Sequence, residues 1–230
     1  MDEIYLPALL KCELFNNIEK DELKSLLICL KPLVQTYPKN AIVVRNGERL
    51  DSLGIVLEGE ASVIKESISG NRILLKNIGI GEMFGEIAVF ARQNEWPALV
   101  QAITPLTVCF FPKNKIIDQC TNACQWHNSL VRNMLGVVSE RALKLSKKME
   151  YISIKTMRSK LSTFIYEQYL KRKTTTFTLP MNRQQLADFL NVSRPSMSRE
   201  LSRMRDEGII DFHLSAFRIL DIEKLKEYCE

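Results

Sequence analysis

The sequence predicts an α+β fold made of an N-terminal β-barrel or jelly roll, a long helix and a C-terminal winged helix-turn-helix domain. Three observations lead to this prediction: glycine-punctuated β-rich runs early in the chain, an uninterrupted heptad pattern in the middle, and a capped helix-turn-helix pattern near the end. At 230 residues the chain is long enough for two domains with cores of their own. The predicted boundaries are 1–121, 122–152 and 153–230.

The N-terminal part changes from helical to β-rich character. Apolar residues at helical spacing predict a short helical cap over residues 11–30, with a break at Asn16 and Asn17. Residues 31–111 then hold seven of the nine glycines between short apolar and β-branched runs, and Ser69-Gly70-Asn71 is a hairpin turn signal. Strands are predicted at residues 41–44, 53–57, 61–64, 73–75, 99–103 and 106–110. Many short strands at regular spacing are typical of a sandwich or barrel.

A long helix is predicted after Pro112, where the pattern stays helical to about residue 172. Seven apolar residues there alternate in steps of four and three, as the a and d positions of three heptads do. They are Val131, Leu135, Val138, Ala142, Leu145, Met149 and Ile152. A second stripe of Leu130, Met134 and Val137 is placed to pack on the β-rich domain of the same chain. One inward and one outward stripe predict self-association; the alternative is a helix buried by two neighbours within one subunit.

Residues 182–201 carry the pattern of a helix-turn-helix. Asn182 is a good N-cap, and Leu186, Phe189 and Leu190 form an apolar stripe at helical spacing. Ala187 is small where the second helix must cross closely. Asn191 falls at the turn, where asparagine tolerates a left-handed backbone better than other non-glycine residues.

The second helix of this motif has one apolar and one polar face. Ser193 is its predicted cap, Pro195 falls in its first turn, and Met197, Leu201 and Met204 face inward. The side chains predicted to face outward are Arg194, Ser196, Ser198 and Arg199. Guanidinium and hydroxyl groups at a helix N-terminus suit contacts with base edges and phosphates. The alternative is an ordinary helical hairpin with a solvated basic face.

A wing is predicted to follow. Residues 174–178 are polar and β-prone like an edge strand, and Gly208 ends the second helix of the motif as its C′ residue. Residues 209–212 and 217–220 then form a hairpin, and Asp221 caps a last short helix.

Charge is unevenly placed along the chain. The net charge is +5, but residues 144–205 alone carry +10, which predicts a polyanionic partner for the C-terminal part. No signal peptide or membrane-length apolar run is present, so we expect a soluble, cytoplasmic protein with no membrane partner. No nucleophile–base pair, Walker loop or dinucleotide fingerprint is found, and we predict no enzyme activity.

The six cysteines suggest neither a disulfide framework nor a zinc motif. Cys120, Cys124 and His127 share a helical face and fit a metal only if the helix is continuous. A helix break at Thr121 and Asn122 would separate them. We therefore predict buried thiols and no cofactor, with a metal or redox role as the alternative.

This arrangement resembles the Crp/Fnr family of bacterial transcription regulators over essentially the whole chain. The most specific segments are residues 81–90, Gly-Glu-Met-Phe-Gly-Glu-Ile-Ala-Val-Phe, which look like the family's phosphate cassette, and residues 192–199, Val-Ser-Arg-Pro-Ser-Met-Ser-Arg. The resemblance implies a cyclic-nucleotide-binding-like β-roll sensor domain at 1–121, a dimerisation helix at 122–152 and a DNA-binding domain at 153–230.

The sensor chemistry of the family is only partly matched. In the family, Gly85 and Glu86 would serve the ribose. The cassette should then end in Arg-Ser or Arg-Ala/Thr, whose arginine neutralises the cyclic phosphate, but Trp96 and Pro97 stand there and Arg92 lies four residues early. A buried phosphate without a cation is costly, so cyclic AMP is not the expected ligand. Relatives that carry an iron–sulfur cluster need several clustered N-terminal cysteines, but only Cys12 and Cys29 lie in that part of the chain. Relatives that sense haem use a histidine after the sensor strands, but the only histidines are His127 and His213, and His213 lies in the wing turn. The effector is an unidentified organic molecule, or none exists.

The resemblance also assigns DNA contacts. Arg199 is the best candidate for a bidentate contact to guanine, and Arg194 is second, with a phosphate role as the alternative. Pro195 stands where the family often has glutamate, so the family's half-sites do not transfer. Phosphate contacts are assigned to Lys171, Lys173 and Arg183.

The sequence thus predicts a homodimeric regulator that binds double-stranded DNA at a two-fold symmetric operator, with RNA polymerase as a further partner implied by the resemblance. The alternative is a ligand-binding regulatory module of another protein that does not bind DNA.

Overall fold

The computed structural model describes residues 3–67, 72–93, 95–118 and 125–229. The chain divides into two compact units, Met1–Glu140 and Arg141–Glu230. The division falls inside the long central helix, and the finer three-part boundaries stay a prediction. None of the helices among the described residues is long and apolar enough to span a membrane.

The first unit begins with short helices that cover one side of the β-rich part. They are α1 (Leu6–Leu10) and α2 (Lys20–Leu30), with 3-10 turns at Glu3–Tyr5 and Glu13–Phe15. Asn17 has a left-handed φ of +59°, so the predicted break is confirmed. Glu19 and Glu22 form a capping box that satisfies backbone N–H groups at the start of α2.

Eight strands among the described residues build two antiparallel sheets that face each other as an open jelly roll. They are β1 (Leu33–Tyr37), β2 (Ile42–Val44), β3 (Ser52–Glu58), β4 (Ala61–Glu66), β5 (Arg72–Ile78), β6 (Met83–Phe84), β7 (Leu99–Ala102) and β8 (Leu106–Pro112). The sheet orders are β1-β8-β3-β6 and β2-β7-β4-β5. All six predicted strands are present, while β1 and β6 were not predicted. The predicted turn at 69–71 lies outside the described residues.

Two short helices follow strands of the first unit: α3 (Glu86–Phe90) follows β6, and α4 (Lys113–Ile117) follows β8. Strand β3 passes so close to β6 that a Cβ at residue 54 would overlap the ring of Phe84, which explains Gly54. Phe84 in turn packs edge-on against Phe110 in the core.

Helix α5 (Gln125–Ser153) carries the two predicted stripes on different sides. Leu130, Met134 and Val137 are buried in a core shared with α1, α2 and the sheets, so the inward stripe is confirmed. Along the other stripe, Leu135 and Leu145 are 63% and 62% exposed. Self-association through the outward stripe stays a prediction.

The second unit has the predicted winged helix-turn-helix order. Its elements after α5 are α6 (Met157–Arg172), β9 (Thr176–Thr178), α7 (Arg183–Phe189), α8 (Arg194–Asp206), β10 (Ile210–His213), β11 (Ala216–Ile219) and α9 (Ile222–Glu227). The strands form a sheet of order β10-β11-β9, so the polar strand lies at an edge as predicted. Asp221 caps α9 by accepting a hydrogen bond from the backbone N–H of Lys224.

The described cysteines behave as structural thiols. Cys12 and Cys109 are buried, Cys29 and Cys229 are half-buried, and none of these four is in a disulfide. Burial raises the pKa of Cys109 to about 12, which disfavours its reactive thiolate. Cys120 and Cys124 of the metal alternative lie outside the described residues, as does the predicted break at 121 and 122. Within the described part, no three histidine, cysteine or acidic side chains are grouped to hold a metal.

Candidate nucleic-acid interface

The turn between α7 and α8 has the geometry that its residues predict. Asn182 accepts a hydrogen bond from the backbone N–H of Gln185 at 2.9 Å, and the Gln185 side chain accepts one from the Asn182 backbone at 2.8 Å. Asn191 has a φ of +54°, the left-handed conformation that turns the chain between the helices. Ala187 is fully buried. The start of α7 and its angle to α8 are therefore fixed by local sequence.

Helix α8 is fixed by its cap and its apolar face. Ser193 Oγ accepts a hydrogen bond from the backbone N–H of Ser196 at 3.3 Å, and Pro195 lies in the first turn, where its missing N–H leaves no bond unmade. Met197, Leu201 and Met204 are all fully buried. The opposite face of α8 is thus held towards solvent.

This outward face carries the predicted DNA-contacting side chains. Arg194 and Arg199 are exposed, and Ser196 and Ser198 are half-buried. Arg199 Nη2 donates to Ser196 Oγ at 3.2 Å, and Ser193 Oγ donates to the same oxygen at 2.7 Å. The hydroxyl chain therefore favours one orientation of the Arg199 guanidinium, which lowers the entropy that it loses when it binds a base edge.

An arginine that the sequence analysis did not single out anchors α8. Arg158 Nε donates to Glu200 at 2.7 Å, and its Nη atoms donate to Glu207 at 2.7 and 2.6 Å. The same guanidinium lies over the ring of Tyr228, 4.9 Å from its centroid. The hydrogen bond to Glu207 raises the pKa of Arg158 and lowers that of Glu207, so the pair stays ionised.

This anchor also affects the charge of the interface. Glu200 lies in α8 and Glu207 is its C-cap residue, seven positions later and on the same side of the helix. Nothing in the local sequence marks Arg158 as the partner of these two carboxylates. Both would repel phosphates. Arg158 pairs with both carboxylates and Arg203 pairs with Glu200 at 3.3 Å, so two guanidinium groups balance the two negative charges at short range. The field near the start of α8 is then set by Arg194 and Arg199.

Arg183 is placed differently from its predicted phosphate position. Its guanidinium carbon lies 4.6 and 4.8 Å from the ring centroids of Phe212 and Phe217 in the wing. Its Nη1 and Nη2 atoms are buried and have no hydrogen-bond partner among the described residues. Burial lowers the pKa of Arg183. In this structure the side chain connects α7 to the wing rather than facing solvent.

Lys171 and Lys173 are exposed around the end of α6, with Lys173 at its left-handed C-cap. Between them, Arg172 Nη1 donates to the backbone oxygen of Thr178 at 2.7 Å and lies over the ring of Phe177. The outer two cations are therefore available to a ligand, whereas Arg172 holds the edge strand.

The cassette residues of the first unit lie around a filled core. Gly85, with a φ of +91°, precedes α3, and Glu86 is buried. Trp96 is buried as well, with its ring edge-on to Phe84 at 6.2 Å. Pro97 and Arg92 are exposed. An indole thus occupies core space at the position predicted for the missing arginine.

Two family models match the chain. A cyclic nucleotide-binding domain matches residues 34–122, and a Crp-like helix-turn-helix domain matches residues 159–228. The chain is 19% identical over 186 residues to the cAMP-activated global transcriptional regulator CRP of Salmonella typhimurium, covering 78% of this chain and 86% of that protein. It is 22% identical over 194 residues to the transcriptional activator protein FnrA of Stutzerimonas stutzeri, covering 80% and 75%.

Solved structures share the fold. The catabolite activator protein of Thermus thermophilus matches with a TM-score of 0.55 and 18% identity over 94% of this chain and 97% of that one. CprK complexed with OCPA matches with a TM-score of 0.56 and 14% identity over 89% and 93%. At these identities the solved structures show the fold of both units and nothing about the ligand or the DNA sequence that this chain binds.

Proposed function

The chain belongs to the Crp/Fnr family of transcription regulators. On this premise we propose that it acts as a homodimer that binds a two-fold symmetric operator through α8. One observation carries the proposal: Arg194 and Arg199 stand exposed at the start of a helix whose other face is fully buried. Paired cations on a rigid helix end suit the major groove of DNA. In this proposal the protein binds DNA rather than catalysing a reaction. It acts in the cytoplasm, where the chromosome lies.

Dimerisation rests on the outward stripe of α5. Leu135, Leu145, Met149 and Ile152 are between 47% and 64% exposed, and Val131 and Val138 are half-buried. A continuous exposed apolar stripe is an aggregation hazard unless a partner covers it. A second copy of the same helix covers it completely, because heptad spacing is self-complementary about a two-fold axis.

The effector of the β-roll is proposed to differ from cyclic AMP. Trp96 supplies no positive charge, and Pro97 has no backbone N–H to donate. Arg92, four residues before Trp96, lies exposed on the surface. A cyclic phosphate buried there would lack a cation to neutralise it, which opposes binding.

The test of DNA binding is fluorescence anisotropy of labelled mixed-sequence duplexes at several salt concentrations. We expect the protein to bind with a linear fall of log affinity against log salt, and the double variant Arg194→Ala, Arg199→Ala to lose most of this affinity. The matched control removes two exposed arginines of the first unit, Arg45→Ala with Arg92→Ala, and should bind as the original protein does. Failure of the original protein to bind any duplex would favour the regulatory-module alternative.

A further inference from the structure

The end of α5 is joined to α6 by a short link. Only Ile154, Lys155 and Thr156 lie between the two helices. Ile154 is buried, and Thr156 caps α6 by accepting a hydrogen bond from the backbone N–H of Ser159 at 3.0 Å. These residues, α6 and the part of α5 from residue 141 onward all belong to the second unit. A link this short brings side chains of the two helices within reach of each other.

Glu167 of α6 accepts two hydrogen bonds from one face of α5. The hydroxyl of Tyr151 donates to Glu167 Oε2 at 2.5 Å, and Lys147 Nζ donates to Glu167 Oε1 at 2.6 Å. Lys147 and Tyr151 are four residues apart, so they lie on the same face of α5. Burial and the hydrogen bond to Glu167 raise the pKa of Tyr151, so its hydroxyl remains a donor. Both oxygens of the carboxylate thus hold α5.

A second polar contact holds the last turn of α5. Lys160 of α6 is 8% exposed, and its Nζ donates to the backbone oxygen of Ile152 at 3.3 Å. A cation is favoured there because the last carbonyl groups of a helix have no partner within it and carry the negative end of its dipole. Lys160 and Glu167 lie seven residues, about two turns, apart on α6. Two separated points of attachment fix the angle between the helices, whereas a single point would permit rotation.

Aromatic packing extends the contact into the helix-turn-helix motif. Tyr151 is 2% exposed, and its ring lies edge-on to Phe164 of α6 and Phe189 of α7, with centroids 5.9 and 5.2 Å away. The rings of Phe164 and Phe189 are themselves 5.8 Å apart. Phe189 is the last residue of α7, the first helix of the motif. One side chain of α5 therefore contacts both α6 and the motif that presents Arg199.

We propose that Lys147, Tyr151, Lys160 and Glu167, together the α5–α6 joint, fix the position of α8 relative to the end of the outward stripe and thereby select the spacing between the two half-sites. The inference rests on the proposed dimer and operator and extends them to operator spacing. The four side chains are positioning residues, because they act on DNA recognition through α6 and α7.

The outward stripe and the joint occupy adjacent faces of one helix. Leu145, Met149 and Ile152 of the stripe alternate along α5 with Lys147 and Tyr151 of the joint. The surface proposed to bind the second copy is thus tied to the surface that holds α6. Each base pair added between half-sites moves them apart by about 3.4 Å and rotates them by about 34° around the DNA axis. A dimer with a rigid joint can therefore match one spacing well, whereas a loose joint would match several.

The experiment is selection of bound duplexes from a random pool by the full chain and by the double variant Lys147→Met, Tyr151→Phe. This variant removes both donors to Glu167 and keeps an aromatic ring between Phe164 and Phe189. We expect the original protein to enrich one spacing, and the variant to spread over spacings that differ from it by about one or two base pairs.

Affinity measurements separate a loose joint from a damaged domain. On the inverted repeat that the original protein selects, the double variant should bind about tenfold more weakly, because a loose joint lowers the effective concentration of the second α8 at its half-site. On a duplex with a single half-site its affinity should be unchanged. Sedimentation equilibrium should give the variant the dissociation constant of the original dimer, since the stripe is unaltered.

Two further variants complete the set. The matched control is Lys155→Met with Tyr166→Phe, which removes an exposed ammonium and a half-buried tyrosine hydroxyl outside the joint and should keep the original spacing. Glu167→Gln keeps the shape of the side chain and loses its charge. Because hydrogen bonds to a neutral acceptor are weaker, it should broaden the spacing less than the double variant does.

A double variant that enriches the same single spacing as the original protein would overturn the α5–α6 joint and leave the proposed function intact. Loss of affinity for the single half-site would overturn it as well, because the residues would then serve the fold of the DNA-binding domain. A pool in which the original protein enriches no inverted repeat would instead remove the proposed function and the joint together.

Discussion

Breaking the outward stripe of α5 should separate the subunits. The perturbation is Val138→Glu with Leu145→Glu, two positions one heptad apart on the outward stripe. Leu145 is 62% exposed in the single chain, so the substitution there leaves the core of the subunit untouched. Val138 also touches the core of the first unit, and Leu145→Glu is therefore measured alone as well.

The magnitude follows from the area that dimerisation would cover. Burying the exposed part of one Leu145 side chain contributes about 1–2 kcal/mol, or about 2–4 kcal/mol for both copies. Each opposed pair of introduced carboxylates adds about 1 kcal/mol of repulsion even at the dielectric constant of water. Without counting the apolar area lost at Val138, the dimer of the double variant should thus be weaker by roughly 4–6 kcal/mol. This corresponds to a dissociation constant raised roughly 10³- to 10⁴-fold.

Sedimentation equilibrium over a range of protein concentrations measures this shift directly. The matched control is Leu143→Glu, which changes a 70% exposed leucine of the same helix outside the heptad positions and should remain dimeric. Circular dichroism checks that all variants keep their helices. A double variant that sediments as a dimer with an unchanged dissociation constant would refute the assignment of the stripe.

Three further predictions concern ligands. Calorimetry with cyclic AMP should show no saturable heat at millimolar concentration, because Trp96 and Pro97 supply no cation; a micromolar dissociation constant would contradict this. Arg199→Ala should cost about 1–3 kcal/mol of binding and relax preference mainly at one base pair of each half-site, measured against single-base operator variants. A uniform loss would make Arg199 a phosphate contact. Lys171→Ala or Lys173→Ala should weaken all sequences alike and reduce the salt slope by about one unit each; an unchanged slope would remove that lysine from the interface.

The sequence predicts best what depends on near neighbours. The caps at Asn182 and Ser193, the left-handed Asn191 and the two stripes of α5 each follow from residues within a few turns of one another. Strand β1 was not predicted because its side chains are all exposed or half-buried. It therefore lacks the alternation of apolar and polar residues that identifies a strand in sequence. Strand β6 has two residues, too few for a period.

The site differs from prediction where distant segments meet. Arg158 reaches α8 from the start of α6, and Arg183 reaches the wing from the start of α7. Neither contact has a local signal in sequence, because each forms only after the tertiary fold brings the segments together. A guanidinium can be stabilised by aromatic rings as well as by water, and in this structure Arg183 packs on the rings of Phe212 and Phe217.

The central claim is that two copies of α8 bind DNA about a two-fold axis, and selection of bound duplexes from a random pool tests it most directly. We predict enrichment of an inverted repeat whose half-sites lie about one helical turn, roughly 10 base pairs, apart centre to centre. The Arg199-dependent base pair should recur in both halves. A pool without enrichment, or one that converges on a single half-site without symmetry, would contradict the account.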